Sequence, residues 1–514
     1  MSKTIIIIGA GLAGLSAALQ AAENGCNVKL VSSFPSERAQ SVMAEGGINA
    51  ALNTKDENDS PEEHFTDTIK AACGLADPNA VWGMTQAAPE LVHWLLKLGV
   101  KFNMSGYDDV DLRNFGGQKK KRTAFAQSDT GKQIMTAMID AVRRKEASGM
   151  VERFSHHSFL TLRLCGNICC GCVIRDEYSQ ETVELPGDAV IVATGGMHGL
   201  FGNTTGSLSN TGEVTAELFR LGVPLANGEM IQYHPTTVKC GGKRMLISEA
   251  ARGEGGRLFA MKDGKQWYFM EEKYPELGNL MPRDITAREI WKVSHESEVF
   301  LDMTEISEEI ISNKLSGLAD DCMTYLHKDI RKEPVSVLPG IHYFMGGILV
   351  DEQHRTPIQN LCAAGECCAQ YHGANRLGGN SLLGALYGGR VAAKSACEQA
   401  DVVDLSCATQ IDFPPASQIS EIKQLNKVMQ ETMGVVRNEN TLLNGIQTVQ
   451  ALTGNLPLLG MAVLKSALAR KESRGAHWRE DYPKSNDDDY LKTTVARFDG
   501  KQIQISFVPV PERR

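Results

Sequence analysis

Five short segments set polar side chains directly beside glycines: Ser41-Val-Met-Ala-Glu-Gly-Gly-Ile-Asn49, Gln232-Tyr-His-Pro-Thr236, Ile247-Ser-Glu-Ala-Ala-Arg-Gly-Glu-Gly-Gly256, His342-Tyr-Phe-Met-Gly-Gly347 and His372-Gly-Ala-Asn-Arg-Leu-Gly-Gly-Asn-Ser-Leu382. Such segments make a poor core but allow close approach of backbone to a ligand. With Arg283-Asp284 they bring together His234, His342, Ser248, Arg252, Arg283 and Arg376. Arginine presents a fork matched to a carboxylate, and histidine and serine add directional hydrogen bonds, so the set suits an anionic substrate. Taken singly, each residue has a plainer reading. His234 before a proline is a turn-stabilising residue, and Arg283 is half of an ion pair with Asp284 at a helix start.

The elements that must position these residues begin at the N-terminus. Lys3-Thr-Ile-Ile-Ile-Ile-Gly-Ala-Gly-Leu-Ala-Gly14 reads as a buried strand and a glycine turn, followed by a helix to Asn24 and a second strand from Cys26 to Val31. This is the strand-turn-helix-strand setting that a dinucleotide fingerprint requires. Gly9 allows the turn, Gly11 lets the backbone approach a pyrophosphate, and Gly14 lets helix and strand pack closely. Phosphates then sit on the helix N-terminus, where free amides and the helix dipole favour anions. About 20 residues on, where an acidic residue ordinarily meets a ribose, the chain has Val31-Ser32-Ser33.

Two further apolar strands, Ala189 to Val192 and Leu361 to Ala364, each run into glycine. The stretch from Pro224 to Ser336 between them lacks such strands and is richer in charge, which predicts a discontinuous cofactor domain with a second domain inserted. The expected division is 1–225 and 337–400 for the cofactor domain, 226–336 for the insertion and 410–514 for a C-terminal unit. That last unit follows the linker Asp412-Phe-Pro-Pro415. It reads as helices near 418–475 and a closing strand pair, Thr493 to Phe498 and Gln502 to Val508, turning at Gly500.

The 514 residues, 42% hydrophobic and 22% charged with 49 glycines, describe a globular protein of several structural units. A net charge of −9 repels nucleic acid and anionic membranes at long range. The basic run Lys119 to Arg122 reads as a solvated loop. No apolar run reaches the roughly 18 residues of a membrane span, and no leader precedes the first strand, so a cytoplasmic chain is expected, meeting a membrane only through partners. Thirteen cysteines fit reduced thiols better than a disulfide framework. Cys165, Cys169, Cys170 and Cys172 fall on two short strands joined at Gly166-Asn167. Alternating faces keep the four from converging, and no metal site is expected.

In order, the glycine fingerprint, the Ala-Glu-Gly-Gly-Ile loop, Phe115-Gly-Gly, Arg122-Thr123, Asp129-Thr-Gly131, Gln-Tyr-His-Pro-Thr, Ser-Glu-x-x-Arg-Gly-Glu-Gly-Gly, Arg-Asp, His-Tyr-x-Met-Gly-Gly and Gly-Ala-Asn-Arg-Leu-Gly-x-Asn-Ser-Leu resemble the flavoprotein subunits of fumarate reductase and succinate dehydrogenase. The segment Arg470-Lys-Glu-Ser-Arg-Gly-Ala-His-Trp-Arg-Glu-Asp-Tyr-Pro483 is similar to theirs too. The resemblance spans nearly the whole chain. It implies an α/β architecture: a Rossmann-like FAD-binding domain with an inserted α+β capping domain and a C-terminal helical domain.

It also implies roles. His234, Ser248, His342 and Arg376 fall where the family binds the two carboxylates, with Ser248 standing where threonine is more common. Arg283 falls at the proton-donor position, fed by Glu249 and Arg252, which lie three apart and so share a helix face. A desolvated site flanked by other cations is the setting that would make an arginine acidic. For FAD the resemblance implies Gly9, Gly11, Gly14, Ser32, Ser41, Ala44, Gly46 and Gly47, together with Glu213 where aspartate is usual, Glu366, Ser381 and Leu382. Gln40 is the main departure. Members that attach FAD covalently carry histidine there, and an amide cannot form that bond, so the resemblance implies non-covalent FAD tuned toward fumarate reduction.

The reading that follows is the catalytic subunit of a fumarate reductase, paired with an iron–sulfur partner because this chain supplies no convincing cluster ligands. L-aspartate oxidase is the alternative, opposed by Met345, where the oxidase pattern typically has cysteine, and by the Arg-Glu-Asp-Tyr-Pro segment. The adenylylsulfate reductase flavoprotein fits less well because the dicarboxylate clamp is complete. A non-catalytic flavin-binding scaffold has no use for six converging polar side chains.

Overall fold

The computed structural model describes residues 2–106, 109–399, 408, 413 and 418–514. The linker read at Asp412 to Pro415 lies, apart from Phe413, outside them. At the centre is a five-stranded sheet in the order Leu361–Ala363, Ala189–Val192, β1 (Thr4–Ile8), β2 (Asn27–Ser32) and Val151–Ser155. Every neighbouring pair is parallel. Burial on both faces explains the unbroken Ile5–Ile8 run, which is almost fully covered.

Helix α1 (Leu12–Glu23) packs against β1 and β2 of this sheet, and beside it the helix Asn380–Gln399 packs against the strands Ala189–Val192 and Leu361–Ala363. The two helices meet at Gly389, where any Cβ would fall 2.3 Å from the Ala13 carbonyl oxygen. The turn into α1 uses its glycines as the sequence suggests. Gly9 has φ +109°, and a Cβ on Gly14 would sit 1.8 Å from the Gly9 carbonyl oxygen. Nothing crowds Gly11: its nearest neighbours would be 3.8 Å away, at Ala39 and Ser41.

Between the strands Ala189–Val192 and Leu361–Ala363, the chain departs from the expected scarcity of strands. Ile231–Cys240 pairs with Lys243–Leu246 on one side and Leu338–Phe344 on the other. Arg257–Lys262, Lys265–Trp267, Val299–Asp302 and Val335–Ser336 make a separate antiparallel sheet. In Ile231–Cys240 the polar residues Gln232, His234, Thr236 and Thr237 are all buried, so the strand lacks the apolar run of the central sheet without being open to solvent. Pro235 is accommodated at an irregularity in register between His234 and Thr237. Except for Phe115, the apolar cluster of this part comes entirely from residues 247–337.

The C-terminal helices are Ile419–Thr432, Glu439–Val449 and Asn455–Ala469. The last strands, Lys492–Phe498 and Ile503–Pro509, turn at Gly500 (φ +89°) as expected, but they do not form a sheet of their own. Lys492–Phe498 pairs with Leu225–Ala226, joining a mixed sheet with Gly347–Leu349 and Cys368–Ala369. Between helices and strands, Arg470, Glu472 and Glu229 form a fully buried ion cluster. Only the first part of the basic run is a surface loop, with Lys120 on the Asn58 carbonyl and Lys121 paired with Glu57; Arg122, expected to be solvated with them, is fully buried and paired with Asp59 and Asp67, each at 2.9 Å. The cysteine strands are the hairpin His157–Cys165 and Ile168–Asp176, and no group of potential metal ligands clusters among the described residues.

Candidate active site

A cavity of about 860 Å³ runs from the β1–α1 turn to the residues of the inserted segment. Its floor is Gly9–Ala13, its flank the loop Gln40–Gly47, and its far wall the polar residues singled out above. His234, Ser248, Glu249, Arg283, His342 and Arg376 all line it, together with Ser32, Ser41, Ala44, Glu366, Ser381 and Leu382. Three of the expected residues do not. Gly14 acts in packing, Arg252 lies behind Glu249, and Glu213, the first residue of Glu213–Arg220, is not on the wall, although its neighbours Thr211, Gly212 and Val214 are.

Arg283 opens the helix Arg283–Val293 and is held by two partners. Its Nε and Nη2 donate to Oε2 of Glu249 at 2.8 and 2.5 Å, and its Nη1 donates to Oε1 of Gln232 at 3.1 Å. Guanidinium has five N–H bonds; two stay free for a ligand. Gln232 is itself fixed, its amide donating to Asn375 and to the Arg376 carbonyl. The other oxygen of Glu249 accepts from the Gly116 amide at 3.0 Å and lies 3.5 Å from Nη2 of Arg252. Burial alone would raise the Glu249 carboxyl, but Arg283, Arg252 and the Gly116 hydrogen bond outweigh it and hold it below the usual range.

His234 and His342 meet edge to face, ring centres 5.2 Å apart. Burial and the Arg283 charge hold both rings neutral, far below the ordinary histidine range, with Arg376 adding to the effect on His342. Arg376 lies 4.3 Å over the Tyr343 ring, and its Nε is buried without a partner. Burial and Arg283 push Arg376 down to about 9. Arg283 has Glu249 as its counter-charge, whereas Arg376, with Nε unpartnered and the Arg283 charge nearby, is stabilised by an incoming carboxylate. Ser248 caps the short helix Glu249–Gly253.

Sequence reasoning passed over Glu45, which lies inside the loop it had singled out. Its carboxyl is buried, and desolvation, Asp321 and Asp129 push it up to about 8 against the lowering effects of Arg113 and Ser248. The only available signal was an acid between an alanine and two glycines. Asn210 was also passed over; it lines the cavity with its amide nitrogen buried and unpaired.

The residues present fit a dinucleotide cofactor. The Ser32 hydroxyl at the end of β2, where a ribose contact is expected, is buried and unpartnered. Gly11, which precedes α1, supplies no side-chain cap and leaves open space, and the Leu12 amide donates to the Ser41 hydroxyl at 3.3 Å. Gln40, at the flavin-linking position, accepts a hydrogen bond from the Ser207 amide.

The family model for an FAD binding domain matches residues 4–382, and that for the fumarate reductase flavoprotein C-terminus matches 452–513. The succinate dehydrogenase flavoprotein subunit of Bacillus subtilis is 38% identical over all of this chain and 98% of its own length. The chain belongs to the succinate dehydrogenase and fumarate reductase flavoprotein family. It is an FAD-dependent oxidoreductase. The 8-methylmenaquinol:fumarate reductase flavoprotein subunit of Wolinella succinogenes is 32% identical, covering 100% of this chain and 92% of that one. A single-site variant of Escherichia coli quinol fumarate reductase FrdA superposes with a TM-score of 0.90 at 27% identity, over 99% of this chain and 97% of that one. Like the flavoprotein subunits it resembles, the fold combines an FAD-binding sheet, a capping segment and a C-terminal region. No helix among the described residues is long and apolar enough to cross a membrane.

Proposed function

We propose that this flavoprotein reduces fumarate to succinate, with FAD held non-covalently and Arg283 as proton donor. The observation that carries the reading is the convergence of Arg283, its partner Glu249 and the set His234, Ser248, His342 and Arg376 on one cavity. The turn Gly9–Ala13, Ser32, the loop Ser41–Gly47, Asn210, Glu366, Ser381 and Leu382 would hold FAD, which supplies hydride when reduced. His342 and Arg376 clamp one carboxylate and His234 and Ser248 the other. Twisting one carboxylate out of conjugation makes the alkene more electrophilic. Arg283 donates a proton through one of its two free N–H bonds, and Glu249 and Arg252 return one from outside.

Gln40 supports both non-covalent FAD and the reductive direction. The likeness to a succinate dehydrogenase subunit favours succinate oxidation as the second reading. The relatives are named as subunits, and we assign this chain an iron–sulfur partner. We place the protein on the cytoplasmic side, reaching a membrane only through partners, with residues 226–336 as the cap. Anaerobic turnover of fumarate with reduced viologen, beside L-aspartate with oxygen, tests the proposal; activity on aspartate alone would overturn it.

A further inference from the structure

His198 lies outside the cavity wall and has no part in the chemistry above, yet it touches both halves of the site. It is 1% exposed. Its Nδ1 is 2.9 Å from the Thr204 hydroxyl, and its Nε2 is 3.7 Å from Oε1 of Glu366 and otherwise unpartnered. The ring meets Phe344 edge-on at 4.9 Å. Gly206 closes over the ring so tightly that a Cβ there would lie 2.2 Å from Cε1. The loop thus folded has a second anchor: the Gly206 amide donates to the same Thr204 hydroxyl at 3.1 Å.

The next residue of that loop reaches the clamp. The Thr205 amide donates to the Ile341 carbonyl at 3.0 Å, and the Thr205 hydroxyl is 2.8 Å from Nδ1 of His342 but 3.3 Å from that carbonyl. With the carbonyl already served by an amide, the hydroxyl proton goes to Nδ1. A neutral imidazole that accepts at Nδ1 carries its proton on Nε2. His342 is thereby left with Nε2–H as a donor for a carboxylate.

We propose that His198 is a positioning residue for the dicarboxylate clamp: by pinning Thr204 it holds Thr205 against His342 and fixes which nitrogen of His342 donates. The inference rests on the dicarboxylate reading above. It assigns the loop Thr204–Gly206 a role in affinity rather than in the chemical step.

The test is calorimetric binding of malonate, an inert dicarboxylate, to the FAD-loaded protein, with FAD content and kcat measured alongside. His198→Ala is expected to weaken malonate binding about tenfold, the value of one hydrogen bond, with FAD content and kcat near wild type. Thr205→Val, which removes the donor directly, is expected to match it. In His198→Asn the amide takes the place of Nδ1 and keeps the Thr204 contact, so affinity returns to within about threefold of wild type. Unchanged malonate affinity in Thr205→Val, or no recovery in His198→Asn, would overturn the proposal. Wild-type protein that ignores malonate would sink the dicarboxylate reading and this inference with it.

Discussion

Glu249 holds Arg283 through one oxygen only: Oε2 takes both Nε and Nη2, while Oε1 faces the Gly116 amide and Arg252. The carboxylate thus orients the guanidinium and still has an oxygen turned toward the second cation. An ion pair built only for stability gains nothing from burial of this kind, since desolvation consumes most of the attraction. A proton relay uses both oxygens.

Glu249→Gln keeps the shape and can still accept from Arg283, but it cannot carry a proton. Turnover is expected to fall about 10²- to 10⁴-fold, the usual weight of a positioned acid–base group, with FAD content and malonate affinity within a few fold of wild type. Steady-state rates with reduced viologen check the first, and calorimetry checks the second.

Glu45 gives the pH dependence a sign. Its carboxyl titrates at about 8, raised by burial and by the charges of Asp321 and Asp129. Below that pH it is neutral; above it, a negative charge stands in the cavity and repels a dianion. Dicarboxylate affinity is therefore expected to fall as pH rises through about 8, and Glu45→Gln is expected to flatten that fall. Malonate titrations at a series of pH values read both.

Arg376 carries a buried, unpartnered Nε. Arg376→Gln removes a charge-assisted bond, worth about 1.5 to 3 kcal/mol, so KM for fumarate is expected to rise at least tenfold. FAD occupancy, read from the absorbance ratio, should hold.

Close packing at Gly389 gives a stability prediction. A methyl there meets the Ala13 carbonyl, so Gly389→Ala should cost about 1 to 3 kcal/mol and lower the melting temperature by differential scanning fluorimetry.

The parts of the molecule legible in the sequence are those whose pattern is local. The Ile5–Ile8 run and Gly9–Gly14 specify their own turn, and the polar residues beside glycines mark the cavity wall. Glu213 is absent from the wall although Thr211, Gly212 and Val214 are on it: a family position read from the chain alone does not say which neighbour of the αL turn at Gly212 reaches the cavity. The strand Ile231–Cys240 was hidden by its proline and by its buried polar residues Gln232, His234, Thr236 and Thr237. The buried cluster of Glu229 with Arg470 and Glu472 joins residues more than 200 apart, and no local pattern announces such a partner. His198 was hidden for the same reason, since its meaning depends on Thr204, Phe344 and Glu366 meeting around it.

Reduction of fumarate is tested most directly by measuring both directions on one anaerobic preparation of the FAD-loaded protein: fumarate with reduced viologen, and succinate with an artificial acceptor. Fumarate reduction is expected to be the faster of the two, and acid precipitation of the same sample should release all of its flavin into the supernatant. Succinate oxidation that outpaces fumarate reduction, or flavin that stays with the denatured chain, would contradict the assignment built on Arg283 and Gln40.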